Sequence, residues 1–152
     1  MAYSTVNAIQ ESIEDVVLAL NPSGKIRSRD NYRRVAPGFD WIERPAVDID
    51  RSFEFIWNTV GLPIMFGAVA EYDYEGEFII KIGHDMTASN KESQKRRATD
   101  LVQIKQALET KSNFPTGVSL VRSDNFPLPE VNLDNWISEI PFNITFALAA
   151  AL

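Results

Sequence analysis

The chain has 152 residues, 45% hydrophobic and 11% aromatic, enough apolar surface to bury one domain core and to exclude wholesale disorder. It has no cysteine, which excludes disulfide frameworks, thiolate zinc sites and thiol catalysis. Its net charge of −6 argues against a dedicated nucleic-acid binder.

The charge is unevenly placed. Between Asn21 and Arg34, the cations Lys25, Arg27, Arg29, Arg33 and Arg34 stand against one acid, Asp30, so the remainder is more acidic than the total. Surfaces of opposite sign can meet between copies of one protein or hold an acidic partner. Glu11, Glu14 and Asp15 are at odds with a signal peptide. The apolar run Ile144 to Leu152 is shorter than the ~20 residues a bilayer span needs, so no membrane segment is expected.

Val6, Ile9, Ile13, Val16, Val17 and Leu20 recur at three- and four-residue spacing and predict an amphipathic first helix. Ser4 is its expected N-cap, Glu11, Glu14 and Asp15 lie on its polar side, and Asn21-Pro22 ends it. Lys25 to Asp50 shows no clean period. It reads as a long basic excursion at about 21–50, with a short strand near Phe39 to Ile42. Two readings stand: a loop packed on its own aromatics, or an arm toward a partner.

Ile49 to Trp57 alternates as a strand, with Ile49, Arg51, Phe53, Phe55 and Trp57 sharing a face. Ile64 to Tyr74 alternates as a second, Glu75-Gly76 is read as a tight hairpin, and Phe78, Ile80 and Ile82 form the returning strand's inner face. After a polar stretch from Gly83 to Ser93, a second helix is predicted over Glu92 to Thr110. Ala98, Leu101, Val102, Ile104, Lys105 and Leu108 lie on its inward side. Lys95, Arg96 and Arg97 sit near its start, the unfavourable end for the helix dipole. They read either as a solvated basic turn or as contacts to an external partner. Phe114 to Gly117 is a turn, Val118 to Arg122 a short strand, and Asp124 to Asp134 a loop. In the last strand Trp136, Ile140, Phe142, Ile144, Phe146 and Leu148 share one face, and Pro141 calls for an edge or a bulge. The expected fold is α+β, one domain over 1–152. A mostly antiparallel sheet carries the N-terminal helix and the second helix on one face.

Chemistry-bearing patterns are sparse. His84, the single histidine, precedes Asp85, but a metal site needs several convergent ligands, so a structural role is expected. Glu71, Asp73, Glu75 and Glu77 fall on one face at period two, paired across the expected hairpin. Such a stripe is either the wet face of an antiparallel sheet or a Mg²⁺ site of a nuclease. No phosphate loop, helical zinc pair, nucleophile elbow or dinucleotide fingerprint occurs, and no catalytic, cofactor or metal residue is assigned.

The segment Gly76 to Asp85, the helical run Arg97 to Leu108, the strand Pro115 to Arg122 and the closing strand Trp136 to Leu148, with the N-terminal helix, resemble phage tail-terminator proteins of the lambda minor-tail-protein-U kind. The likeness follows the order of elements and leaves out about Lys25 to Asp48. It implies a non-enzymatic virion protein that assembles in the host cytoplasm into a hexameric ring at the tail-neck junction. Its partners would be tail-tube and sheath proteins, a neck or head-completion protein, and DNA sliding through the lumen. Under this reading Lys25, Arg27, Arg29, Arg33, Arg34, Lys95, Arg96 and Arg97 are candidate partner contacts. Glu71, Asp73, Glu75 and Glu77 are candidate lumen-facing acids. A head-closure or adaptor ring protein, a Mg²⁺-dependent nuclease and a nucleic-acid-binding module are the alternatives.

Overall fold

A computed structural model of the chain describes residues 5–22, 31–42, 45–60, 71–85, 90–114, 118–123, 130–132 and 135–149. Lys25, Arg27, Arg29, Ser4 and most of the strand expected over Ile64 to Tyr74 lie outside these residues. The chain runs α1 (Val6–Leu18), β1 (Arg33–Arg34), α2 (Ala46–Ile49), β2 (Ser52–Val60), β3 (Glu71–Asp85), α3 (Asn90–Glu109), β4 (Val118–Arg122), β5 (Glu130–Asn132) and β6 (Asn135–Ala149). The fold is α+β. The sheet is ordered β1-β2-β3-β6-β4, with β5 also on β6, and every pairing is antiparallel except β1 with β2.

The two 15-residue strands β3 and β6 pair along their whole length, from Glu71 opposite Ala149 to Asp85 opposite Asn135. Alternation decides which face is buried. Phe78, Ile80 and Ile82 of β3, Phe53 and Phe55 of β2, and Ile140, Phe142, Ile144 and Phe146 of β6 point into one core. Ile9, Ile13 and Val17 of α1 and Leu101, Ile104 and Leu108 of α3 close that core from one side. Stacked rings, Phe55 on Phe78 at 4.7 Å and Phe78 on Phe142 at 5.1 Å, run across the three central strands.

Several expectations are corrected. The hairpin at Glu75-Gly76 is absent, because β3 continues through both residues. Gly76 is required by close packing instead: a Cβ there would stand 2.9 Å from the Thr59 carbonyl oxygen and 3.3 Å from the Trp57 ring. This is where β2 bulges between Trp57 and Thr59. Ile49 belongs to the single-turn helix α2, not to a strand. Phe39 to Ile42 forms no strand, with a bend at Trp41–Ile42, and the strand of that region is Arg33–Arg34. The N-cap of α1 is Thr5, whose Oγ1 accepts from the Ala8 N–H at 3.1 Å. Glu14 is not on the wet side of α1. It is buried and ion-paired to Arg34 at 3.4 Å. On α3, Ala98 and Val102 face solvent, while Ser93, Asp100, Leu101, Ile104 and Leu108 face the sheet.

Pro141 lies in the central strand β6, opposite Ile79. On the other side of β6, β5 covers Asn135–Ile137 and β4 covers Asn143–Phe146, so no described strand pairs there with Pro141. The missing donor falls at a local edge.

Candidate assembly surfaces

The two ends of the β3–β6 ribbon differ in how they hold charge. At the end near Gly83 the sheet is covered on both faces. On the outer face Trp41, Ile49 and Ile137 form a second cluster with Val35 and Phe39. Gly83 permits this, since a Cβ there would lie 2.0 Å from Ile49 Cγ2. On the core face the chain buries Arg51, Asp100 and His84 completely.

Arg51 is the one non-glycine residue with positive φ among the described residues, at 57°. Its N–H donates to the Gly83 carbonyl at 2.8 Å, and its carbonyl accepts from the Arg33 N–H at 2.9 Å. The left-handed turn links α2 to β2 and sends the guanidinium inward. There Arg51 Nε donates to Asp100 Oδ2 at 2.8 Å and Nη2 to Oδ1 at 3.3 Å. His84 Nε2 lies 2.9 Å from the same Oδ2, so Asp100 clasps β2 and β3 to α3. Burial alone would raise the Asp100 carboxyl, but hydrogen bonds from His84 and Arg51, with their charge, outweigh it and hold the pKa below the usual range. Tyr32 donates to Gln103 Oε1 at 2.9 Å, and burial followed by the Asp100 charge pushes its phenol well up. His84 is fully buried, and its Nδ1 has no hydrogen-bond partner among the described residues.

The candidate partner cations are treated unequally. Arg96 Nη2 donates to Asp50 Oδ2 at 2.8 Å, and Asp50 Oδ1 accepts from the Asp85 N–H at 3.0 Å. Arg97 donates to Ser138 Oγ at 2.9 Å and is half-buried, which lowers its pKa. Arg33 Nη2 donates to the carbonyls of Asp48 and Asp50, and Arg34 pairs with Glu14. These four bind within the fold. Lys95 is exposed and has no partner among the described residues.

The opposite end of the ribbon is wet on its outer face. Glu75 and Glu77 are exposed and share a face of β3. The backbones of Glu71 and Asp73 continue the strand, and their side chains lie outside the described residues. Beside Glu77 a hollow of about 230 Å³ is lined by Asn58, Ile79, Pro141 and Asn143 among others. Asn58, the residue displaced by the β2 bulge, donates to Glu77 Oε2 at 3.4 Å. Lower on the same face Lys81 pairs with Glu139 at 3.6 Å and stands 5.7 Å above the Trp41 ring, whose Nε1 donates to Glu54. The acids therefore lie along one continuous strand and not across a hairpin. Among the described residues no three carboxylates or imidazoles converge as a metal-holding group.

Sequence reasoning missed the Arg51–Asp100 pair, although both residues fall on otherwise apolar faces. It also missed Lys91, which is exposed and lies one turn before Lys95 on α3. Among the described residues no helix is long and apolar enough to cross a membrane. No family model and no curated protein matches the chain.

Proposed function

We propose that the protein is a structural virion subunit, a phage tail terminator that works as an oligomeric ring capping the tail tube and joining it to the neck. The observation that carries the reading is a local complementarity of exposed charge, beside which α3 also carries exposed Glu92 and the outer sheet face exposed Arg122. Exposed cations Lys91 and Lys95 lie on α3, and exposed acids Glu75 and Glu77 lie on the outer sheet face. Because α3 packs on the core side, these groups sit on opposite sides of the sheet and cannot meet within one molecule. Complementary surfaces on opposite sides of a subunit favour head-to-tail assembly, which closes into a ring when the rotation permits.

The order of elements in the resemblance agrees with the architecture from β3 through α3 and β4 to β6. The carboxylates that the nuclease alternative invokes lie along one continuous strand, not across a hairpin, and among the described residues no three acids or imidazoles converge. The ring reading places the protein at the tail-neck junction, with tail-tube and neck proteins as partners and DNA passing through the lumen without specific binding. A growing tail tube supplies the test. Added to polymerising tail-tube protein, this chain is expected to bind one end of each tube and stop its elongation. Tube lengths unchanged over a range of added protein, with none bound at either end, would contradict the proposal.

A further inference from the structure

We infer that the outward stripe of α3 docks on the outer sheet face of a second copy, Lys91 and Lys95 meeting Glu75 and Glu77. This inference rests on the ring reading and specifies its contact.

The helical period separates the two sides of α3. Ser93, Asp100, Leu101, Ile104 and Leu108 face the core, so Lys91, Lys95, Ala98 and Val102 point away from the sheet, and all four are exposed. Past the two lysines the stripe becomes small and apolar. Ala98 and Val102 line a groove of about 520 Å³ that continues to Asn21 after α1. A Val at 41% exposure on this side has no role in the core of its own chain.

The outer sheet face carries the complementary sequence of groups. Along β3, Glu75 and Glu77 are followed by the half-buried Ile79, with the exposed Pro141 opposite it on β6. The spacings agree. Lys91 and Lys95 are one turn apart, ~6 Å along a helix, and Glu75 and Glu77 are two residues apart, ~6.7 Å along a strand. With the lysines over the acids, Ala98 and Val102 approach Ile79 and Pro141. The hollow beside Glu77, with the carboxamides of Asn58 and Asn143 in its wall, gives an ammonium group oxygen acceptors besides the carboxylate. Other cations of this face are already engaged: Lys81 holds Glu139, and Arg122, in register with Asn143, has a partner within the molecule. Glu75 and Glu77 are thereby assigned to contact between copies and not to the lumen.

The contact is head-to-tail, and this makes it testable by mixing. In Lys91→Glu/Lys95→Glu protein both surfaces are acidic. In Glu75→Lys/Glu77→Lys protein both are basic. The mass of each species is followed by light scattering against concentration at low salt, with far-UV circular dichroism confirming that all remain folded. Each variant alone is expected to need about tenfold more protein than the wild type to assemble, because like charges face each other. The equimolar mixture is expected to assemble near the wild-type concentration as alternating copies. Wild-type assembly with either variant unaffected, or with both impaired and the mixture unrescued, overturns the contact but leaves the ring reading standing. A wild-type chain that never assembles overturns both.

Discussion

The same two strands meet different fates at their two ends. Around Ile82–Asp85 and Asn135–Ser138 the ribbon is covered on both faces, and its charges are paired inside the fold: Arg51 with Asp100, which His84 also contacts, and Arg96 with Asp50. Around Glu75–Glu77 and Asn143–Thr145 one face is open, and its acids have no cation of their own among the described residues. The comparison separates two uses of charge. Inside, a carboxylate fixes the relative placement of β2, β3 and α3, and its removal strands a buried guanidinium. Outside, exposed charge contributes little to folding, and its value lies in what approaches it.

The largest expected effect comes from breaking the covered end. Asp100→Asn leaves Arg51 buried without its counter-charge and is expected to lower unfolding stability by about 3–5 kcal/mol, read by urea denaturation. The same pair predicts a pH dependence. The Asp100 pKa is depressed in the fold, so its contribution is fully present above the unfolded value of ~3.9 and is lost as pH falls through the folded value. Asp100→Asn should remove that part of the acid sensitivity below about pH 4. A variant as stable as the wild type would show that the clasp does not hold this end together.

Gly83→Ala comes next. Its methyl would collide with Ile49 Cγ2 and press on the Trp41 ring, and overpacking of this kind costs about 1–3 kcal/mol. Thermal melts should show the loss. Replacing Ile49 by Ala in the same chain should return part of it.

Glu14 sharpens the comparison with an opposite sign. Burial raises its pKa despite Arg34, so between the unfolded value of ~4.3 and the folded one the native state binds more protons and stability falls with rising pH. Glu14→Gln should therefore be modestly more stable than the wild type at pH 7 and indistinguishable from it well below pH 4. A loss at pH 7 would mean that the ion pair with Arg34 outweighs desolvation. The smallest effect belongs to the open end. Glu75→Gln/Glu77→Gln should change monomer stability by no more than about 0.5 kcal/mol.

What was legible in the sequence follows from the strength of each period. β6 alternates over its whole length, and its apolar face was read residue by residue. Leu101, Ile104 and Leu108 placed α3 correctly, whereas Ala98 and Val102 are apolar enough to have been counted inward. Glu75-Gly76 has the composition of a turn, but its glycine answers the approach of a bulged neighbouring strand, which only the tertiary fold supplies. Glu14 reads as a solvent residue from its helical position alone, because its partner, Arg34, lies twenty residues away across an aperiodic stretch. Glu75, Glu77 and Lys95 are legible as exposed charge. The clasp left a trace, Arg51 within an apolar alternation, but nothing local names Asp100 as its partner.

The central claim is that the copies assemble through complementary faces into a closed ring. The molar mass of the wild-type protein, measured by light scattering across a concentration series at low salt, tests it most directly. A closed head-to-tail ring gives one discrete species that persists as concentration rises further, of about six chains as the resemblance implies. A strict monomer at every concentration, or a mass that climbs without limit, would contradict it.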